Sequence, residues 1–171
     1  MPTVHLICGP LGAGKTTLAR RIAREQGALR CSLDEWVMQL FGAEAPEPMV
    51  FEWWAERCRR CRERIWSMCE GVLARRLDVV LDFGFPSVSE REEYRQRALR
   101  AGASVHLHVV LASPALRWQR VQARNLDRAE TFALVVTEGM FQGSEAWWQP
   151  PTAAERAGAI SFHDPDASVS S

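Results

Sequence analysis

Eight residues near the amino terminus carry the strongest chemical signal in this 171-residue sequence. Positions 9–16 match the pattern G-x-x-x-x-G-K-[ST], and a second threonine follows. Glycines let backbone N–H groups turn inward around phosphate oxygens, while the lysine and first threonine suit the β,γ-phosphates and Mg²⁺. The pattern predicts a site for ATP with Mg²⁺, and its predicted binding residues are Gly9, Gly12, Ala13, Gly14, Lys15, Thr16 and Thr17.

The residues around this loop provide the strand and helix that such a site requires. Residues 4–8 form a short apolar run, and apolar residues at helical spacing follow the loop until Gly27. The alternative interpretation is a glycine-rich turn that happens to precede Lys-Thr. The four fixed positions should co-occur by chance in about one chain of this length in two hundred. The flanking elements make chance rarer still, so the sequence favours nucleotide binding.

Two acidic residues follow further predicted strands. Asp34 comes after residues 28–32, and Asp82 ends the apolar run of residues 77–82. Asp34 is either an acid in the first turn of a helix or a general base that removes a hydroxyl proton. Asp82 is either the cap of a turn or an acid that holds Mg²⁺, together with Thr16. The pattern leaves open which of the two carboxylates is the base.

Three arginines lie on a predicted helix that begins at Ser113-Pro114. Arg120 and Arg124 are four residues apart and therefore share a face, while Arg117 precedes them. On a lid spanning about residues 113–130, Arg120 and Arg124 would clamp the triphosphate and stabilise charge during transfer. The alternative is a solvated arginine face in a chain rich in arginine.

Strand and helix patterns alternate along the chain. The predicted strands are apolar runs at residues 4–8, 28–32, 77–82, 105–111 and 157–162. The predicted helices between them cover residues 33–41, 50–75, 87–101, a segment that begins at 113, and 131–142. This order predicts an α/β fold with a five-stranded parallel sheet covered on both faces. Ligands of such sheets bind beyond the carboxyl ends of the strands. We expect one domain over residues 1–163 and a frayed tail over 164–171.

Composition narrows the possible functions. The net charge is zero, no apolar run is long enough to span a membrane, and no secretory signal is visible. Five cysteines without a secretion signal favour reduced thiols in the cytoplasm. The Cys58-x-x-Cys61 pair falls on the apolar face of the long helix, so burial is the favoured interpretation over zinc binding. Arg62 lies oddly near that face, as a residue of a substrate pocket would.

The sequence resembles one group of proteins in four features. These are the loop at residues 9–17, the two acids, Arg120-x-x-x-Arg124 with Asn125, and Gln149-Pro150-Pro151 before Glu155. This group is the small P-loop kinases around zeta toxins, chloramphenicol phosphotransferase and the kinase domain of phage polynucleotide kinase. The resemblance implies a three-layer P-loop NTPase fold, a lid helix, and Asp34 as the base. Residues 82–86 depart from the group, because aromatic and apolar residues stand where many relatives have polar ones.

Three functions remain open from the sequence. The first is a Mg²⁺-dependent kinase that transfers the γ-phosphate of ATP to a hydroxyl of a small molecule. The second is a polynucleotide 5′-hydroxyl kinase, which the zero net charge disfavours. The third is a non-metabolic ATP-binding or ATPase module. A GTPase with the guanine-reading N-K-x-D motif is excluded, since Lys15 is the only lysine. The acceptor and the oligomeric state stay undetermined.

Overall fold

A computed structural model describes residues 1–127 and 135–159, together with the backbone of residues 161–163. Its centre is a sheet whose five strands are all parallel, in the order β2-β3-β1-β4-β5. The strands are β1 Thr3–Cys8, β2 Leu29–Ser32, β3 Val79–Gly84, β4 Ser104–Val110 and β5 Ser161–His163. This arrangement confirms the predicted α/β class and the parallel sheet.

Helices connect the strands. They are α1 Lys15–Gln26, α2 Leu33–Phe41, α3 Phe51–Leu73, α4 Val88–Arg100, α5 Pro114–Asp127, α6 Glu138–Trp147 and α7 Ala153–Gly158, with a short 3₁₀ turn at Gly42–Glu44. A capping box starts α4, since the Ser87 hydroxyl accepts from the Glu90 N–H and the Glu90 carboxylate accepts from the Ser87 N–H. Two glycines in the left-handed conformation, Gly27 and Gly102, follow α1 and α4.

Alternation of side chains along the strands builds two cores, one on each face of the sheet. In β3, Val79 and Leu81 belong to the larger core, whereas Val80 belongs to the core under α1. The smaller core also contains Ile7, Leu18 and other residues of the first βα unit. Because successive strand side chains point to opposite faces, this pattern follows directly from burial on both sides.

The long helix α3 packs its apolar face against the larger core. Cys58 and Cys61 are buried there with Ile65, as the helical spacing predicted. All five cysteines are free thiols. Burial raises the pKa of the Cys58 thiol to about 12, so this thiol stays protonated and apolar in character at neutral pH.

Several predicted boundaries were wrong. Helix α6 ends at Trp147 rather than at residue 142, and β3 starts at Val79 rather than at residue 77. Residues 157–158 end helix α7, and the fifth strand starts only at Ser161. The capping box that Thr152 and Glu155 form at the start of α7 explains this shift. Helix α6 begins at Glu138, after its cap Thr137. Residues 135–137 are therefore not helical, contrary to the predicted helix start at residue 131, and residues 131–134 lie outside the described part. β3 continues past Asp82 to Gly84.

Parts of two other predictions fall outside the described residues. These are the end of the lid segment, residues 128–130, and the tail at 164–171. Within the described chain, no helix is long and apolar enough to cross a membrane. His106 and His108 of β4 lie beside His5, and the rings of His5 and His108 share a hydrogen bond of 3.0 Å.

One buried arginine fastens the carboxyl-terminal segment to the loop after β3. Arg91 is 2% exposed and forms a two-point ion pair with Glu155, with N–O distances of 2.6 and 3.1 Å. The same guanidinium donates to the carbonyls of Phe85 and Gln149. Phe85 is buried at a positive φ of 44°, a costly conformation that these contacts support.

We therefore expect Arg91→Met to lower the free energy of unfolding by about 3–5 kcal/mol, because it strands a carboxylate and two carbonyls in a buried setting. Urea unfolding followed by circular dichroism measures this loss. Arg95→Met on the same helix is the control, since Arg95 and Glu92 form an exposed pair that contributes at most about 1 kcal/mol. Equal losses in the two variants would contradict the proposed role of Arg91.

Candidate active site

The loop between β1 and α1 approaches other backbone segments too closely for side chains. A Cβ atom on Gly9 would lie 2.2 Å from the Val110 carbonyl oxygen, and one on Gly12 would lie 2.7 Å from the Arg117 carbonyl oxygen. Gly12 and Gly14 also adopt φ values of 79° and 103°. The glycines of the motif are therefore required by the fold of the loop itself.

The amino terminus of α1 opens toward the space inside this loop. Gly14 precedes the helix, and no side chain caps the first turn. The uncapped N–H groups and the helix dipole make this end attractive to an anion. A Cβ on Gly14 would meet only an Arg120 nitrogen at 3.9 Å, so the space above the helix end is open.

Lys15 lies inside the loop. Its Nζ donates to the Pro10 carbonyl at 2.7 Å. Burial lowers the pKa of Lys15, and the carboxylates of Asp82 and Asp34 oppose that shift. Gly84 at the end of β3 makes room for the lysine stem, since a Cβ there would lie 3.4 Å from the Lys15 Cε. Gly84 also accepts from the Gly9 N–H at 3.2 Å, a role that the sequence did not reveal.

Asp82 is buried at the floor of the site, with 6% of its surface exposed. Burial raises the pKa of its carboxyl group, while Lys15, a side-chain hydrogen bond with Thr16, and Arg30 lower it. Thr16 and Asp82, which the sequence paired as metal ligands, thus lie in contact. Arg30 donates to Asp82 Oδ2 at 3.1 Å.

Arg30 also makes the two neighbouring acids of α2, Asp34 and Glu35, different, because it forms an ion pair with Glu35. Its Nη2 binds both oxygens of Glu35, at 2.7 and 2.6 Å, and Arg20 adds a longer contact of 3.4 Å. Glu35 is therefore occupied by internal ion pairs and is poorly placed to act as a base. Arg30 was not among the predicted site residues, although it lies in the strand directly before Asp34 and Glu35.

Asp34 lies in the first turn of α2 and faces the cleft. Its side chain makes no hydrogen bond or ion pair within the described chain, and solvent that fills the cleft reaches it. The surrounding protein and the Asp82 carboxylate nevertheless raise its pKa, against the effect of Lys15 and Arg124. A carboxylate with a raised pKa and no internal partner has the properties of a general base.

The three arginines of α5 have different environments. Arg117 is buried and binds Glu145 at two points as well as the carbonyls of Ala112 and Leu11, so it holds the fold together. Arg120 donates to the Ala13 carbonyl at 3.2 Å, directly above the loop. Arg124 lies near Asp34, whose charge partly offsets the lowering of the arginine's pKa by burial. The two predicted lid arginines thus line the same cleft as the glycine loop.

A cleft of about 1080 Å³ joins these residues. One end contains the glycine loop, Lys15, Asp34 and Asp82, and is bordered by Arg120 and Arg124. The other end lies between α3, α4 and the end of α6, and includes Arg62. Arg62 pairs with Glu90 and lies 5.9 Å from the Phe83 ring centroid, so it does face the cleft as its odd position suggested.

The residues present fit a magnesium ion. Thr16 and Asp82 offer oxygen atoms, which Mg²⁺ prefers, next to an open helix end that suits phosphate. Among the described residues no group of three or more histidine, cysteine or acidic side chains converges on one point. The two oxygen-bearing side chains Thr16 and Asp82 match the usual binding of Mg²⁺ by one or two protein oxygens, with phosphate and water supplying the rest.

The chain is similar in sequence to known proteins along most of its length. Residues 4–151 match the family model described as an AAA domain. Shikimate kinase 1 of Escherichia coli is 30% identical over 134 residues, which cover 78% of this chain and 74% of that enzyme.

Solved structures extend the likeness at the level of the fold. A protein of Chloroflexus aurantiacus classed as a kinase superposes with a TM-score of 0.76 at 16% identity, covering 95% of this chain and 88% of that one. Kti12 of Chaetomium thermophilum, solved with ADP-AlF3, gives 0.68 at 18% identity with the same coverage.

Proposed function

We propose that this chain, which belongs to the family of small P-loop kinases, transfers the γ-phosphate of ATP to a hydroxyl group of a small molecule. The observation that carries the proposal is the placement of an unpaired carboxylate, Asp34, in the same cleft as the phosphate loop. A module that only binds or hydrolyses ATP has no need of a further cavity beside that carboxylate. The relatives named shikimate kinase support a small-molecule acceptor.

In this proposal the chain's residues perform four tasks. The loop N–H groups and Lys15 hold the triphosphate, and Asp34 accepts the proton of the acceptor hydroxyl. As that proton leaves, the acceptor oxygen forms a bond to the γ-phosphorus and the bond to the β,γ-bridging oxygen breaks, which releases ADP. Arg120 and Arg124 stabilise the charge on the transferred group. Thr16 and Asp82 would hold Mg²⁺, which neutralises phosphate charge when bound.

The polynucleotide 5′-hydroxyl kinase remains the second candidate from the sequence. A nucleic-acid acceptor requires cations that are free to meet phosphates. Among the described residues that line the cleft beyond Asp34, the two arginines Arg62 and Arg59 are each paired with a glutamate. This pairing favours a small-molecule acceptor. We also propose a cytoplasmic location, in keeping with the five free thiols.

A labelled-ATP assay tests the proposal. The purified protein is incubated with ATP labelled at the γ-phosphate, Mg²⁺, and pools of hydroxylated metabolites, shikimate, gluconate and a 5′-hydroxyl oligonucleotide. We expect label in a phosphate monoester of a small molecule. Label found only in the oligonucleotide would support the second candidate, and label found only in inorganic phosphate would overturn both kinase proposals.

A further inference from the structure

The half of the cleft beyond Asp34 has an aromatic wall. Among the residues that the structure describes, six aromatic side chains line it, from α3, β3, α4 and the segment that ends α6: Phe51, Trp54, Phe83, Tyr94, Trp147 and Trp148. We call this region the aromatic half. The rings come from separate segments of the chain, so the sequence pattern alone could not show that they meet.

The rings differ in their availability to a ligand. Phe83 and Tyr94 are buried and pack edge to face at a centroid distance of 5.5 Å, which makes them a fixed floor. Phe51 and Trp147 are 54% and 60% exposed and stack on each other at 5.0 Å at the mouth of the cleft. Trp54 is partly buried and also lines the cleft. A flat apolar molecule would bury the surfaces that these rings expose to solvent.

The charged side chains of the aromatic half all have partners within the protein. Arg62 pairs with Glu90 and Arg59 with Glu56. Glu63 and Glu93 both pair with Arg97, which lies outside the lining of the cleft. Acidic side chains outnumber basic ones along this lining, where Arg59 and Arg62 stand beside Glu63, Glu90 and Glu93. The net charge of the aromatic half is therefore negative, which disfavours the carboxylate or phosphate of an anionic acceptor.

The opposite end of the cleft has the reverse character. Neither Arg120 nor Arg124 forms an ion pair with any residue of the described ranges, and both lie at the phosphate loop. The cations that are available to an anion are thus concentrated where the triphosphate is proposed to bind. The aromatic half offers ring surface and, at its inner border, the carboxylate of Asp34, which has no ion pair within the described ranges.

From this division we infer that the acceptor is a neutral alcohol with a flat aromatic or similarly apolar body, rather than a small hydroxy acid or a polyol. Its ring system contacts Trp54 and the pair at the mouth, while its hydroxyl points inward to Asp34. The inference rests on the proposed kinase function for the fate of the hydroxyl. The binding of the aromatic body can be tested separately.

Calorimetric titration of the complex with Mg²⁺ and a non-hydrolysable ATP analogue provides that test. The probes are naphthalenemethanol and its carboxylated counterpart, a hydroxymethyl naphthoic acid, with shikimate and gluconate beside them. We expect the neutral alcohol to bind at least about tenfold more tightly than the carboxylated counterpart. Trp54→Ala and Trp147→Ala should each weaken its binding by up to about tenfold, without a change in nucleotide affinity.

Trp36→Ala is the matched control, because Trp36 is also a partly buried tryptophan but does not line the cleft. It should leave the affinity for naphthalenemethanol unchanged. Trp147→Ala removes a side chain that is mostly exposed, so its result does not depend on the stability of the core. Equal or tighter binding of the carboxylated probe, or affinity that is insensitive to both Trp54→Ala and Trp147→Ala, would overturn the inference.

Phosphate transfer by the same samples separates this inference from the proposed function. Label in shikimate or gluconate, with none in the aryl alcohol, would overturn the aromatic acceptor and leave the kinase proposal standing. Tryptophan-dependent binding of the aryl alcohol, with no phosphate ester formed from any compound, would overturn the kinase proposal and support the binding site.

Discussion

Replacing Lys15 with alanine should lower phosphate transfer by about a thousandfold and weaken ATP binding by at least about tenfold. Lys15 is the sole lysine and lies within the glycine loop, where its Nζ donates to the Pro10 carbonyl. The charge is partly desolvated and adjacent to Asp82 and Asp34, so a bound triphosphate would gain a strong charge-assisted hydrogen bond. Calorimetric titration with Mg²⁺-ATP measures the affinity.

The control for this variant is Arg24→Ala. Arg24 is exposed in the last turn of the same helix and does not line the cleft, so its removal should change neither affinity nor transfer. A Lys15→Ala protein that binds ATP as tightly as the parent would refute the assignment of the loop as the nucleotide site.

Replacing Asp34 with asparagine should reduce transfer by about a hundredfold to ten-thousandfold while ATP affinity is retained. Asparagine keeps the shape of the side chain but cannot accept the hydroxyl proton. The raised pKa of Asp34 adds a second signature. Asp34 acts as a base only when deprotonated, so the parent should lose activity as the pH falls through a value above the ordinary aspartate range. This acidic limb should vanish in the variant.

Two neighbouring variants distinguish the base from other acids. Glu35→Gln should have a smaller effect on transfer, because Glu35 is held by Arg30 and Arg20. Asp82→Asn should raise the Mg²⁺ concentration needed for activity, whereas added Mg²⁺ should not restore Asp34→Asn. An Asp34→Asn enzyme with undiminished transfer would show that the base is another group, and rescue of that variant by Mg²⁺ would reassign Asp34 to the metal.

Local patterns in the sequence sufficed for the parts of the fold that depend on neighbouring residues. The glycine loop, the capping box at Ser87 and the buried face of α3 are each determined by residues a few positions apart. The amphipathic spacing that favoured burial of Cys58 and Cys61 is confirmed by their place in the core. Errors arose where two signals competed, as at residues 157–158, where the cap at Thr152 continues a helix into an apolar run.

The composition of the site depended on contacts that are distant in sequence. Arg30 lies 52 positions before its partner Asp82, and Arg91 lies 64 positions before Glu155. The aromatic half joins rings from Phe51 to Trp148. Long-range placement of this kind follows from strand order and helix packing, which no local periodicity encodes. The motif therefore indicated phosphate chemistry, while the character of the acceptor end emerged only in three dimensions.

Phosphorus NMR of one reaction mixture tests the central claim most directly. ATP, Mg²⁺, the protein and an acceptor found in the labelled-ATP assay are followed together, and the signals of ADP, inorganic phosphate and phosphate monoester are integrated. Transfer to a hydroxyl predicts that ADP and the monoester rise in equal amounts, with little inorganic phosphate, and that Asp34→Asn slows both signals together. ADP matched by inorganic phosphate alone, at a rate independent of the acceptor, would contradict the account and identify an ATPase.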